Sequence, residues 1–410
     1  MTNQIIYDTI IIGGGASGIF AGISCKTHFP NSSVLVLEKS TKLLSKVKIS
    51  GGGRCNITHS CFEIKELILN YPRGSKELRN VFSSFDASDT IQWFESRGVP
   101  LKTESDGRIF PTSDISQTII DCLLKECQKL DIEILLKHQV ENISKNNVGI
   151  FVLNVNKNQS FYGMNVIIAT GGYPKLTSYH WIEHLGIKII EPVPSLFSFN
   201  AVKSPLAGLE GLSFDASFSI KGIRLNITGP AIITHWGISG PAPLKLSAWA
   251  ALELYIKKYE YELNIHFCPQ WNQSEIQNEL MNFKSTNGKS KINKANPFKI
   301  PNRLYERLLI ISGIDIQKNW GDVNKKEIAT LVLNITQFKI QCSGKTTYKE
   351  EFVTAGGIDL KEINLSTMES KKTQGLFFTG ELLNIDGVTG GFNFQNAWST
   401  GWIAGSNIRI

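Results

Sequence analysis

The beginning of the chain dictates a parallel strand–helix–strand unit. An apolar strand, Asp8-Thr9-Ile10-Ile11-Ile12, runs into Gly13-Gly14-Gly15-Ala16-Ser17-Gly18. A helix of small residues follows from Ile19 to His28, and a second apolar strand, Val34-Leu35-Val36-Leu37, ends on Glu38. In this setting each glycine has its own job. Gly13 makes the tight turn, Gly15 lets backbone approach a pyrophosphate, and Gly18 lets helix pack closely on strand. Free N–H groups at the helix start, around Ala16 and Ser17, face negative phosphate oxygen. Glu38 can accept hydrogen bonds from both hydroxyls of an adenosine ribose. The expectation is dinucleotide binding, weighed against an ordinary glycine-rich strand–helix turn.

The remaining 372 positions of this 410-residue chain exceed what one compact domain needs, so two or three are expected. An apolar content of 42% with 19% charged residues describes a globular protein, not a disordered one. The net charge of +7 suits solubility and an anionic cofactor, and gives little reason to expect a nucleic-acid partner. The seven cysteines include no C-x-x-C pair, which argues for reduced thiols and against a disulfide framework. No zinc-ligand spacing is present, so no metal is expected. No run approaches the roughly 18 apolar residues of a membrane span. The N-terminus lacks a basic leader with a cleavage site. A cytoplasmic location is the expectation.

Beyond Glu38 comes a glycine-rich loop, Leu43 to Asn56. Helices are predicted over Ser75–Ser84, Ala87–Arg97 and Ile115–Leu130, the last with Asp114 as its N-cap. Strands are predicted over Ile132–Leu136, Val148–Val155 and Val166–Ala169. Near Glu191 the texture changes to prolines and then to alternation such as Phe214-Asp215-Ala216-Ser217-Phe218, a mark of antiparallel strands. Helical patterns recur at Ser274–Phe283, Arg303–Ser312 and Lys325–Val332. Strand patterns resume at Lys339–Cys342 and Glu351–Thr354. The stretch from Lys284 to Arg303, with Lys289, Lys291, Lys294 and Lys299, reads as a solvated loop. The implied architecture is α/β: a doubly wound, mostly parallel Rossmann-type domain over 1–191 and 351–410. It is interrupted at 192–350 by a β-rich, barrel-like insertion with a helical piece over about 272–335.

The return to the sheet favours FAD over NAD. Gly375-Leu376-Phe377-Phe378-Thr379-Gly380-Glu381 ends a strand with a small residue, glycine and an acid, and Thr170-Gly171-Gly172 gives an intermediate return. Gly390-Gly391-Phe392-Asn393-Phe394-Gln395-Asn396-Ala397-Trp398 then opens a helix directly from a glycine turn. A helix N-terminus there can offset negative charge on the N1/C2=O edge of a flavin ring.

At this point a family resemblance emerges. The run Lys42-Leu43-Leu44-Ser45-Lys46-Val47-Lys48-Ile49-Ser50-Gly51-Gly52-Gly53-Arg54-Cys55-Asn56-Ile57-Thr58 resembles the hallmark of the BaiN/RdsA-like flavoproteins, a family of NAD(P)/FAD-dependent oxidoreductases. The segments Thr234-His235-Trp236-Gly237-Ile238-Ser239-Gly240-Pro241 and Thr379 to Gly387 with Gly390 to Gln395 are similar to the same family. The resemblance spans essentially the whole chain and extends to the wider glutathione-reductase-like class, closest to its fumarate-reductase branch. It implies an FAD domain interrupted by an insertion with a β-barrel and a small helical piece. Asn384, where Val or Asp is expected, departs from the pattern.

Candidate cofactor contacts are Gly13, Gly15, Ala16, Ser17, Gly18, Glu38, Lys39, Lys46, Ser50, Gly51, Gly52, Gly53, Arg54, Cys55 and Asn56. Val140, Thr170, Gly171, Gly380, Glu381, Asp386, Gly391, Phe392 and Asn393 complete the set. Arg54 either offsets phosphate or flavin charge or holds the loop through an ion pair. Cys55 is a thiol beside the flavin, or a small packing residue. Asn56 is expected to fix the loop through side-chain hydrogen bonds. His235 is the candidate acid–base group, and Ser239 is placed to cap a helix from Pro241. No second G-x-G-x-x-G exists, so either NAD(P)H docks transiently as electron donor or another donor serves. The leading reading is hydride transfer through FAD to a small-molecule substrate, with an activated C=C bond as one option. An amine oxidase and an RNA-modifying flavoprotein remain alternatives.

Overall fold

The computed structural model describes residues 5–201, 203–346 and 353–410. Two compact units divide the chain, Met1–Ser195 with Tyr348–Ile410, and Leu196–Thr347. The boundary falls after Ser195, not at residue 192. Ile189–Ser195 is a strand paired antiparallel with Val353–Ile358, which holds Pro192 and Pro194 inside the first unit. The return near residue 351 and the start of the strand expected at Glu351 lie outside the described residues.

The sheet of the first unit follows from runs that are apolar on both faces. β1 (Ile6–Ile12) lies between β2 (Val34–Glu38) and the long strand Gln159–Ile168, parallel to both. Glu133–Leu136 extends the sheet beyond β2, and Leu376–Phe378 extends it beyond Gln159–Ile168, again in parallel. The register aligns Phe377, Ile167, Ile11, Val36 and Ile134 in one row across five strands. All but Ile134 are fully buried. Unbroken Ile/Val/Leu/Phe runs are what a parallel sheet covered on both faces requires. The hairpin Val140–Lys145 and Phe151–Val155 adds antiparallel strands to one end of Gln159–Ile168, so the sheet is mixed.

Helix α1 (Ala16–His28) and the C-terminal helix Phe392–Ser406 cross at a backbone-to-backbone contact. A Cβ on Gly401 would lie 2.5 Å from the Ser17 carbonyl oxygen, and one on Gly405 would lie 2.3 Å from that of Ala21. Ser17 and Ala21 share one α1 face, and Gly401 and Gly405 share one face of the partner helix, each pair four residues apart. Ser24 Oγ also donates to the Trp402 carbonyl (2.6 Å).

Two local expectations change. The glycine-rich segment after β2 contains a kinked helix, α2 (Ser45–Gly53), broken at Ser50, Gly51 and Gly52. The helix Ser116–Lys129 is capped by Ile115 without a side-chain bond. Asp114 adopts φ 53°, and its carboxylate is engaged by Lys102 and Arg54 instead of by helix N–H groups.

The second unit is a seven-stranded antiparallel sheet with helices. The strand order is Phe338–Ser343, Glu260–His266, Ser213–Ile220, Asn226–Thr234, Gly237–Ser239, Ser198–Asn200, Lys345–Thr346. Among the described residues the expected barrel is not found as a closed cylinder, because the hydrogen-bonded path stops at Phe338–Ser343 and at Lys345–Thr346. These end strands follow one another along the chain across Gly344 (φ 75°). Helices Gln273–Thr286 and Lys325–Thr336 begin with capping boxes, Asn272 with Glu275 and Asn324 with Glu327. The helical piece has no core of its own: Ile276, Leu280, Leu304, Leu308 and Leu331 join Leu263 and Ile265 of the sheet in one cluster.

Gly401→Val is expected to destabilise the fold by more than about 2 kcal/mol, because rigid backbone stands where the side chain must go. Urea unfolding of the purified variant measures this. An unchanged midpoint would show that the helices do not pack through this glycine.

Candidate dinucleotide site

The turn between β1 and α1 separates glycines that the fold demands from one that it does not. Gly13 has φ 110°, and a Cβ there would stand 2.5 Å from the Ala169 carbonyl oxygen. A Cβ on Gly18 would fall 2.0 Å from the Gly13 carbonyl oxygen. Both positions are closed by the chain itself. Gly15 caps α1 with φ −85°, a conformation open to any residue, and a Cβ there meets nothing within 4 Å. The first-turn N–H groups of Ala16, Ser17 and Gly18 have no intrahelical acceptor, and no acidic residue occupies that turn. Together they make an anion-attracting helix end beside open space.

Glu38 closes the far side. Its carboxylate accepts from the Gly14 N–H and the Ser40 N–H, both at 2.8 Å. Each oxygen keeps a further lone pair for a ligand hydroxyl. Lys39 lies over the Tyr173 ring at 5.8 Å. Val140 enters its strand two residues after His138, whose N–H donates to the Glu38 carbonyl (2.9 Å), beside the end of β2.

The α2 segment turns three consecutive glycines, Gly51, Gly52 and Gly53, through positive φ. A Cβ on Gly52 or Gly53 meets nothing within 4 Å. Ser50 Oγ donates to the Val47 carbonyl (2.9 Å). Arg54 pairs with Glu104 (2.6 Å) and Asp114 (3.5 Å) and stacks on Phe110 (4.0 Å), which is its loop-holding arrangement. Cys55 is fully buried, and burial pushes its thiol up to about 12, leaving it protonated and poorly nucleophilic. Asn56 does not tie the loop as expected: its Oδ1 is buried with no partner among the described residues.

The C-terminal return supplies the remaining wall. Thr170 is half-buried, and Gly171 (φ 74°) faces open space. A Cβ on Gly380 would stand 2.6 Å from Ser17 Oγ, so the chain's return meets the start of α1. Glu381 pairs with Lys46 (2.5 Å) and accepts from the Thr354 N–H (3.0 Å), joining two expected contacts to each other. Asp386 is fully buried, held by the Arg73 guanidinium and by Ser195 Oγ (2.7 Å). Gly391 (φ 94°) caps the C-terminal helix, where a Cβ would strike the Thr58 carbonyl oxygen at 2.5 Å. The Phe392 carbonyl accepts from Tyr71 OH (2.7 Å), and the Asn393 carboxamide brackets Gly387 with two 2.9 Å bonds. Thr379 Oγ1 and Asn396 Oδ1 are buried without a partner among the described residues.

His235 belongs to the second unit, where it stands exposed in the turn before Gly237–Ser239. Ser239 does not cap the following helix. It accepts from or donates to Ser198 Oγ (2.7 Å), and Gly240 is the cap, with Pro241 in the first turn. No group of three His, Cys, Asp or Glu among the described residues could hold a metal ion, and no helix among them is long and apolar enough to cross a membrane. The Arg73–Asp386 pair escaped the sequence reading, since Pro72-Arg73-Gly74 resembles any surface turn. The His59 ring stacks on Phe392 (4.9 Å), and its Nε2 meets the Asp106 carbonyl (3.0 Å).

These features define a Rossmann fold of the dinucleotide-binding kind. The chain belongs to the HI0933-like protein Rossmann domain family, whose model matches residues 7–407. Among its relatives is a ribosomal RNA dihydrouridine synthase of Escherichia coli, 30% identical over 418 residues and covering 98% of each chain. Another is a 3-dehydro-bile acid delta(4,6)-reductase of Clostridium scindens, 29% identical, covering 96% of this chain and 97% of the relative. The fold is shared with the 3-ketosteroid-delta4-(5alpha)-dehydrogenase of Rhodococcus jostii, with a TM-score of 0.53 at 12% identity, over 99% of this chain and 98% of that one.

Burial holds His59 below the ordinary imidazole range, ahead of the opposing pull of Asp106. A depressed folded value means that the unfolded chain binds the proton first, so stability present above about pH 6.5 is lost as the pH falls below it. Thermal unfolding of the native chain should therefore lose more stability than His59→Gln between about pH 7.5 and about pH 5. Parallel losses would assign the acid sensitivity elsewhere.

Proposed function

We propose that this chain is an FAD-dependent oxidoreductase that reduces an activated C=C bond, with NAD(P)H as electron donor. The observation that carries the reading is Gly15. Neither its φ nor any neighbour requires glycine, so the open space above it is reserved for something the chain does not contain. A pyrophosphate fits that space by charge, next to the free N–H groups of α1. Asn56 Oδ1, Thr379 Oγ1 and Asn396 Oδ1, buried and without a partner among the described residues, supply polar atoms for a ligand with hydrogen-bonding edges.

FAD, when bound, supplies a two-electron carrier that accepts and delivers hydride. The chain's own residues hold and tune it. Gly13 to Gly18 and Glu38 take the adenosine diphosphate half. The free N–H groups of Phe392, Asn393 and Phe394 offset negative charge at the other end. Protonated Cys55 and ion-paired Arg54 support the loop, and neither is asked to carry electrons. Reduced nicotinamide is the donor that the family resemblance implies, and with a single dinucleotide fingerprint in the chain it would visit the flavin transiently. The activated C=C bond is supported by what the two relatives are named for. One saturates a uracil ring and the other a conjugated bile-acid ring system, both double bonds polarised by a carbonyl.

The test begins with the visible spectrum of the purified protein. A yellow protein bleached anaerobically by NADH or NADPH, and reoxidised by an RNA uracil or a conjugated enone, is expected. A colourless protein that FAD cannot reconstitute would overturn the reading. Gly15→Ala should bind FAD at least about tenfold more weakly while unfolding within about 1 kcal/mol of the native apoprotein, because the added methyl meets ligand and not chain. Equal FAD affinity would remove Gly15 as the supporting observation.

A further inference from the structure

We propose that the loop 287–301 of the second unit is a docking surface for the phosphate backbone of an RNA. This rests on the reading that the chain reduces an activated C=C bond, and it names the substrate as a uracil carried within RNA. Between Glu279 and Glu306 the chain has no acidic residue and six basic ones, Lys284, Lys289, Lys291, Lys294, Lys299 and Arg303. The sequence alone suggested a solvated run. The structure shows a built one.

Its apolar residues point inward: Ile292, Phe298 and Ile300 are 0%, 7% and 5% exposed. Its backbone is tied to the segment 318–321. The Ile292 N–H donates to the Lys318 carbonyl (3.0 Å), the Trp320 N–H to Ser290 (2.9 Å) and the Gly321 N–H to Gly288 (2.9 Å). The Trp320 indole N–H donates to the Ala295 carbonyl (3.0 Å), and the Asn296 carboxamide donates to the Ile300 carbonyl (2.7 Å). Lys284 and Lys291 are turned onto the Val323 and Gln317 carbonyls. That leaves Lys289, Lys294 and Lys299 exposed, with no ion pair among the described residues.

Of the nearby acids, Glu327 pairs with Lys318 (2.8 Å) and Glu306 accepts from Asn293 of the loop (3.4 Å), while Asp322 stands exposed beside the tied segment. A fixed frame that presents unpaired like charges is complementary to a polyanion, whose condensed counterions are released on contact. A surface that inserts into a membrane would call for outward apolar side chains, and here those side chains are buried. With Phe298 buried, the loop offers no exposed ring for base stacking, so it grips phosphate and leaves choice of base to other residues.

Fluorescence anisotropy with a labelled, uridine-containing single-stranded RNA tests the surface on the full chain. The variant K289E/K294E/K299E is expected to bind about tenfold or more weakly. Its salt dependence should flatten by about 2, from roughly 0.7 per single-strand phosphate contact. K289R/K294R/K299R should bind as the native chain does, and circular dichroism and nicotinamide-driven flavin reduction should be unchanged in both. Equal RNA affinity of the charge-reversed and native proteins overturns the proposal. So does tighter capture by phosphatidylserine vesicles than by RNA. Charge-dependent RNA binding in a protein that reduces no C=C bond would keep the surface and refute the reductase reading.

Discussion

The crossing of α1 with the C-terminal helix is the contact on which the rest of the first unit depends. It brings Gly401 and Gly405 onto the carbonyls of Ser17 and Ala21, and Ser24 onto Trp402, 378 residues away. Backbone surfaces meet there with no side chain between them, so the geometry has almost no slack. The same contact seats Gly380 on Ser17 and brings the glycine turn at Gly391 into the unit. The dinucleotide turn at one end of the chain and the polar helix start at the other are therefore one construction. A cradle assembled from both ends cannot form until most of the chain has folded. Such non-local closure is slow because loop entropy is lost before the contacts reward it.

A second long-range tie is electrostatic. Asp386 and Arg73 are 313 residues apart and meet in the interior with Ser195. Burying two charges costs about as much as their attraction returns, so the pair adds little net stability. Removing either partner would strand a charge in the interior. The pair is better understood as fixing one arrangement of three segments: the turn at Arg73, the strand Ile189–Ser195 and the return through Asp386. Lys46 and Glu381 make a similar long link nearer the surface, where solvent weakens it.

What the sequence makes legible follows from the range of the forces involved. The β1–α1–β2 unit is readable because each of its parts is local: an apolar run, a glycine turn, a helix of small residues and an acid. The distant strand Leu376–Phe378 is readable because its neighbours need unbroken apolar runs. The kinked α2 is not, since Ser50-Gly51-Gly52 looks like loop and only its surroundings hold helix on either side. Asp114 looks like a cap, but the side chains of Lys102 and Arg54 outcompete the helix N–H groups for its carboxylate. Asp386 reads in the sequence as a cofactor contact in a glycine-rich turn, and its partner Arg73 comes from far away in the chain. The insertion's alternating strands are legible, whereas the two ends of its sheet, which follow one another across Gly344, are not.

Glycines carry the most exact information about the missing partner, once those the chain needs are set aside. Gly13, Gly18, Gly380, Gly391, Gly401 and Gly405 are each accounted for by a protein atom within 2.6 Å of the absent Cβ. Gly51, Gly52, Gly53 and Gly171 are accounted for by positive φ. Gly15 is accounted for by neither. A bare backbone at a position where the fold would accept a side chain leaves room for a group from outside this chain. Gly15 stands at the mouth of a helix whose first N–H groups have no partner in the helix, a setting that attracts an anion. The residue types of the fingerprint and the geometry of its setting thus converge on one atom-sized space.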